Sequence, residues 1–204
     1  MTPTAMRPGE SPGTSPVHVP DFDVLYEADA DPWRVASSWY EQRKLAVLLA
    51  SLPRSFYAKT WEPGCGPGIT TAALAERTQE LVATDSSQTA VHLARERCRE
   101  LDGVRVSLST LPDVPVIPPV ELIVAAEFLY YVEDLQPALD ALWSVAAPGS
   151  HVVFLHWAHQ PDDAFRSGPE MHAEIGIDAI DREALRVVSH SDTDFMLDVY
   201  EATT

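Results

Sequence analysis

The chain has 204 residues, 46% hydrophobic and 8% aromatic, which suits one globular domain with a full core. No apolar run approaches the roughly 20 residues of a membrane span, so no membrane partner is expected. Thirty-one Asp and Glu against fourteen Lys and Arg give a formal charge of −17, which argues against a nucleic-acid partner and favours neutral, cationic or amine-bearing small molecules.

Residues 1–20 carry prolines at 3, 8, 12, 16 and 20. They are expected to form an extended or disordered tail ahead of a single domain over 21–204. The first residues lack an apolar signal core, so a cytoplasmic location is expected. Cys65 and Cys98, the two cysteines, fit neither a disulfide framework nor a metal site, and no metal is expected. Within 21–54, Ser38 and Glu41 form a capping box ahead of an apolar helix face of Leu45, Leu48, Leu49 and Leu52, and Pro53 stops the helix. This segment reads as a lid that brings Trp33, Tyr40 and Arg43 to a ligand, or alternatively as core packing with Arg43 paired to a nearby acid.

From Tyr57 onward, strand candidates at 57–61, 80–84, 104–108, 121–126 and 151–156 alternate with helices near 70–77, 87–101 and 135–146. Alternation of that kind predicts an α/β protein with a parallel sheet covered on both faces. Leu185–His190 and Asp194–Glu201 are separated by three residues, a length that permits only an antiparallel hairpin. The intervening segment, 157–184, reads as a polar substrate loop with room for a short helix around 170–175.

The stretch Glu62-Pro63-Gly64-Cys65-Gly66-Pro67-Gly68 joins the first strand to its helix. Glycines there let the backbone turn tightly near a ligand, and the helix start offers unpaired N–H groups. A dinucleotide loop places its third glycine three residues after the second, whereas Gly68 follows Gly66 by two. The E-x-G-x-G-x-G form resembles the cofactor loop of class I S-adenosylmethionine methyltransferases. Ligands in open α/β sheets sit beyond the carboxyl ends of the strands, so those ends supply the other candidates. Asp85, flanked by Ser86, can accept both hydroxyls of a ribose, or it can simply help start the next helix. Thr110 and Leu111 could bound an adenine ring. Glu127, followed by Tyr130 and Tyr131, faces where a sulfonium and an acceptor would meet. His156, His159 and His172 lie at or beyond the fifth strand end, and histidine can remove a proton near neutral pH. His156, with His172 and Tyr130 behind it, is the catalytic candidate; surface or packed histidines are the alternative.

Asp31-Pro32-Trp33-Arg34, Ser38-Trp39-Tyr40-Glu41-Gln42-Arg43-Lys44, Glu62-Pro63-Gly64-Cys65, Ala126-Glu127-Phe128-Leu129-Tyr130-Tyr131, Pro148-Gly149-Ser150-His151 and His156-Trp157 together resemble the NodS-like (nodulation protein S) methyltransferase family over about 21–202. The resemblance implies a Rossmann-like class I methyltransferase fold with a mostly parallel seven-stranded sheet and a C-terminal antiparallel hairpin. It also implies cofactor contacts from Trp33, Tyr40, Arg43, Gly64, Gly66, Asp85, Thr110, Leu111 and Glu127, to which the loop reading adds Glu62, Gly68 and Ser86. The family commonly has an acidic residue where Thr110 stands, and 157–184 follows it only loosely. The expected function is transfer of a methyl group from S-adenosylmethionine to an amine or hydroxyl of a small molecule such as an amino sugar or secondary metabolite, by a monomer or homodimer. The alternatives are a non-methylating cyclisation or rearrangement on the same fold, and non-catalytic binding of S-adenosylmethionine or S-adenosylhomocysteine.

Overall fold

Strict alternation of apolar side chains along the central strands sets the two faces of one sheet. In the computed structural model, which describes residues 17–203, β4 (Val120–Ala126) sends Ile123 and Ala125 to one face and Leu122 and Val124 to the other. Successive strand residues point to opposite sides, so a strand buried on both faces reads as a continuous apolar run. The other strands are β1 (Tyr57–Pro63), β2 (Thr78–Asp85), β3 (Val104–Leu108), β5 (Ala146–Trp157), β6 (Leu185–Ser191) and β7 (Phe195–Glu201). Their order is β3-β2-β1-β4-β5-β7-β6. The first five are parallel, while β7 runs antiparallel to both β5 and β6. Each predicted strand is present, with β5 extended at its start.

On one face, α5 (Leu135–Ser144) and α6 (Gly168–Asp181) cover Trp61, Val152 and Phe154. On the other, α2 (Trp39–Ser51) and α3 (Ile69–Ala75) bring Leu48 and Leu74 against Leu81, Leu155 and Phe195. The same face carries α4 (Gln88–Cys98), whose Ala94 meets Ala83 and Cys65. α1 (Phe22–Ala28) is capped by Asp21, whose carboxylate accepts the N–H groups of Asp23 and Val24. Residues 17–20 have no regular structure; the rest of the expected tail lies outside the described residues. Among the described residues, no helix is long and apolar enough to cross a membrane.

The segment 157–184 corrects the expectation of a short helix at 170–175. α6 has 14 residues and begins with a capping box. The Ser167 hydroxyl accepts the Glu170 N–H at 3.3 Å, and the Glu170 carboxylate accepts the Ser167 N–H at 2.9 Å. Near the other end, buried Asp178 accepts hydrogen bonds from Trp143 Nε1 and Gln136 Nε2 of α5, both at 2.9 Å, and from Arg182 Nε. Asp178→Ala would strip Trp143 Nε1 and Arg182 Nε of their acceptor, leave Gln136 Nε2 with Asp140 alone, and uncouple α6 from α5. The expected loss is roughly 2–3 kcal/mol, read as a lower denaturation midpoint with unchanged slope; a shift below about 0.5 kcal/mol would show the cluster to be ornamental.

Candidate functional site

The chain crosses from the β1–β2–β3 half to the β4–β5 half between β1 and β4, and a cavity of about 730 Å³ opens there beyond the carboxyl ends of the strands. Such a crevice is where open α/β sheets hold ligands. Gly64 and Gly66 line it. Gly64 has φ +66°, and a Cβ there would sit 2.4 Å from the Phe128 ring. The turn is fixed from β2: Thr84 O accepts the Cys65 N–H, and Asp85 Oδ2 accepts the Gly66 N–H at 2.8 Å. Gly68 differs from the expectation. It does not line the cavity; its Cα faces Ala94 of α4, where a Cβ would come within 2.9 Å of the backbone. The third glycine lets two helices approach closely rather than meeting a ligand.

Asp85 and Ser86 lie on the cavity wall. The other Asp85 oxygen accepts the Ser87 N–H at 2.9 Å. Burial pushes the Asp85 pKa up, against the pull of these N–H groups. Glu62, at the end of β1, is more enclosed, and desolvation raises its pKa to about 8, with the nearby Thr71 hydroxyl opposing the rise and the Asp85 charge adding to it. Its Oε2 is buried with no partner among the described residues. Thr110 and Leu111 line the far wall, joined by Asp113, an acid three residues beyond the position where the resemblance implied one.

The segment 21–54 contributes α1, α2 and the turn between them to the cavity wall. Asp23 of α1 accepts from the Ser87 hydroxyl at 2.6 Å and the Thr89 N–H at 2.9 Å, which ties α1 to the start of α4. Phe22 packs edge-on to Tyr131 at 5.1 Å, and Tyr26 to Trp33 at 5.8 Å. Phe22, Tyr26, Trp33 and Tyr40 all line the cavity, as do Val19 and Pro20 from the expected tail. Arg43 does not. It pairs with Asp192 in the β6–β7 turn and lies over the Phe195 ring. Its neighbour Lys44 occupies the cavity wall instead, buried between Glu41 at 2.9 Å and Glu127. Helix geometry explains the exchange: residue 44 is one turn beyond Tyr40, on the same face, whereas 43 is rotated about 100° away.

Glu127 is a strained point on the cavity wall, with φ 61° in the left-handed region that side-chain-bearing residues seldom occupy. Three donors hold it there: Lys44 Nζ at 2.5 Å, the Tyr130 hydroxyl at 2.6 Å and the Trp157 N–H at 3.1 Å. Tyr130, Tyr131 and Trp157 complete the wall. The histidine expectation is corrected. On β5, Leu155 and Trp157 line the cavity while His156, between them, faces α6. It is fully buried behind Tyr130, with Nδ1 3.2 Å from His172 Nε2, and His172 Nδ1 is 2.7 Å from Asp198. Desolvation holds the His156 pKa well below its ordinary value, and the neighbouring His172 and Lys44 charges add to this. Neither histidine meets the cavity, and His159 packs at a tilt against Trp157 outside it. Among the described residues no cluster of metal-ligating side chains is present.

The strand order, the glycine loop after β1 and the cavity at the crossover define a class I methyltransferase fold. The chain belongs to the nodulation protein S (NodS) family, which it matches over residues 23–191. It is 31% identical over 142 residues to nodulation protein S of Sinorhizobium fredii, covering 67% of this chain and 66% of that protein. The chain spans 54–66% of the length of its Sinorhizobium, Rhizobium and Bradyrhizobium nodulation protein S relatives. A crystal structure of a candidate methyltransferase from Pseudomonas syringae is 35% identical with a TM-score of 0.70, covering 80% of this chain and 99% of that one. The N-methyltransferase NodS from Bradyrhizobium japonicum WM9, solved with S-adenosyl-L-homocysteine, has a TM-score of 0.74 at 23% identity, covering 91% and 100%. At that identity the likeness is one of fold.

Proposed function

We propose that this chain is an S-adenosylmethionine-dependent methyltransferase that acts on an amine or hydroxyl of a small molecule, an amine being the better fit. The observation that carries the reading is Glu62, an enclosed carboxylate beside the glycine loop whose Oε2 lacks a partner among the described residues. A buried oxygen of this kind calls for a partner, and an ammonium group that displaces the carboxyl proton supplies a donor together with the charge. When bound, S-adenosylmethionine supplies a methyl group on a positively charged sulfur, open to in-line displacement. Asp85 keeps lone pairs for ribose hydroxyls beyond those used by Gly66 and Ser87. Thr110, Leu111 and Asp113 flank the place for a base, and Tyr130, Tyr131 and Trp157 wall the acceptor side.

Because the Tyr130 hydroxyl donates to Glu127, its lone pairs are left to accept an N–H or O–H from the acceptor and so orient it. No histidine lines the cavity among the described residues, and a neutral amine needs no strong base to attack, which favours nitrogen over oxygen. The name of the Bradyrhizobium neighbour, an N-methyltransferase, agrees. The chain's contribution is then chiefly proximity and alignment.

Incubation with S-adenosylmethionine and a panel of small amines, amino sugars and alcohols, followed by release of S-adenosylhomocysteine, tests this. Conversion with at least one amine is expected. Binding without conversion on any acceptor would instead favour a non-catalytic ligand role, and acceptor turnover without loss of the methyl group would favour a rearrangement.

A further inference from the structure

Six carboxylates line the cavity, and five of them are accounted for. Glu62, Asp85 and Asp113 lie at or just beyond the ends of β1, β2 and β3, and Glu41 and Glu127 share Lys44. Asp163 is left over. It lines the acceptor side with Tyr131, Val132, Trp157 and Pro161, where Phe22 of α1 packs edge-on to Tyr131. The segment that carries it is tied down: the Phe165 N–H donates to Tyr130 O at 2.9 Å, and the Arg166 guanidinium donates to Val132 O and to Glu133 O at 2.8 Å. Arg166 also pairs with Glu174 at 3.3 Å, so this neighbouring cation is engaged elsewhere. Among the described residues no ion pair or hydrogen bond engages the Asp163 carboxylate. Tyr131 feels its charge: the Tyr131 pKa rises to about 12, first through burial and next through Asp163.

The reacting nitrogen is not the group that suits this carboxylate. It attacks through a lone pair and must arrive unprotonated, whereas a carboxylate beside an amine favours the ammonium form. A partner for Asp163 therefore has to be a second, charged group on the acceptor. We propose that the acceptor is a diamine with an apolar body, whose protonated nitrogen pairs with Asp163 beside Phe22 and Tyr131 while its neutral nitrogen takes the methyl group. The inference rests on the methyltransferase reading above. Aromatic faces attract an ammonium group and shelter an alkyl body alike. A polyhydroxylated body would instead set most of its hydroxyls against Phe22, Val132 and Pro161 without partners. In the transfer, the nitrogen lone pair forms the new N–C bond as the methyl–sulfur bond breaks. The pair from that bond stays on sulfur as a neutral thioether, and the N-methylammonium product later gives its proton to water. A like charge nearby lowers an amine's pKa, so the acceptor's own ammonium, together with the sulfonium, favours the neutral form of the attacking nitrogen.

Rates of S-adenosylhomocysteine release with saturating S-adenosylmethionine test the assignment. The acceptors are linear diamines from putrescine to hexamethylenediamine, their monoamine counterparts from butylamine to hexylamine, glucosamine, and butanol. A charge-assisted pair at Asp163 makes kcat/KM for the favoured diamine about tenfold to a hundredfold higher than for its monoamine. Asp163→Asn, which keeps the side chain's shape, brings that ratio to within about twofold of unity, chiefly through KM. Asp162→Asn keeps the ratio, because Asp162 is exposed and does not line the cavity. A structural or proton-accepting Asp163 would slow diamine and monoamine together and leave the ratio in place. Diamines no better than monoamines, a ratio kept in Asp163→Asn, a ratio lost in Asp162→Asn, or glucosamine preferred to every diamine each overturns the proposal. Where circular dichroism shows that Asp163→Asn does not fold, the wild-type and Asp162→Asn ratios decide alone. Turnover with butanol alone, or with none of these acceptors, overturns the amine reading itself and this proposal with it, an outcome distinct from amine turnover without discrimination.

Discussion

Gly64→Ala is expected to lower stability by roughly 2–5 kcal/mol and to weaken ligand binding in the cavity by at least about a hundredfold. Two costs combine. A φ of +66° lies in the left-handed region, where an L side chain meets the following carbonyl at a cost of about 1–2 kcal/mol. The new methyl would also stand 2.4 Å from Phe128 Cδ1 and 2.6 Å from Cγ, distances no pair of carbon atoms tolerates. Those atoms lie close to the ring's attachment point and cannot swing clear as a flexible chain end could. Relief therefore has to come from moving Phe128 or the turn. Phe128 follows Glu127, already held at positive φ by Lys44, Tyr130 and Trp157, so the displacement would spread into the cavity wall. Denaturant unfolding measures the first effect and calorimetry with S-adenosylhomocysteine the second. A variant with wild-type midpoint and affinity would show that the turn has a second conformation of similar energy.

Much of this site could be read from the chain because strand ends are easy to find. A run such as Leu122–Ala126 must be a strand buried on both faces, and the residue that ends it, Glu127, must lie at the sheet's edge. The same logic located Glu62 and Asp85 on the wall. What failed was side-chain direction. His156 was read as facing the ligand because it sits at the end of β5, yet the cavity takes Leu155 and Trp157, and the period of two turns the residue between them the other way. Arg43 and Lys44 were exchanged for the same kind of reason on a helix. The lining residues Tyr40, Lys44 and Leu48 recur every fourth position, a signal present in the sequence but outweighed by the resemblance to Arg43. Gly68 looked like a ligand residue because it belongs to the glycine pattern, whereas its task is contact with Ala94, a partner 26 positions away that no local pattern announces. In the segment before the hairpin, Gly168 and Pro169 suggested a loop. The capping pair Ser167 and Glu170 was legible and pointed to the longer helix.

Glu62 supplies the second large effect, and its sign follows from where its proton resides. In the ligand-free protein, desolvation raises the carboxyl pKa from 4.5 to about 8, so between those values the folded state holds a proton that the unfolded state has released. Stability therefore falls as pH rises across that window. Glu62→Gln is expected to remove this part of the slope and to gain most over the wild type near pH 8, as read from denaturation midpoints at pH 5, 6, 7 and 8. Burial raises the Asp85 and Glu41 pKa values in the same direction, so some slope should survive in the variant; the difference between the two proteins isolates Glu62. Binding should carry the opposite dependence. An ammonium group beside Glu62 favours the ionised carboxylate, so a ligand bearing one expels the proton on entry. Affinity for S-adenosylhomocysteine is then expected to rise with pH up to about 8, by at most about tenfold per unit. Calorimetry near pH 7 in buffers of different ionisation enthalpy should register release of about one proton. In Glu62→Gln that release should vanish. A pH-independent affinity in the wild type, with no proton released, would mean that Glu62 does not meet the amino group and that the ammonium is held elsewhere on the wall.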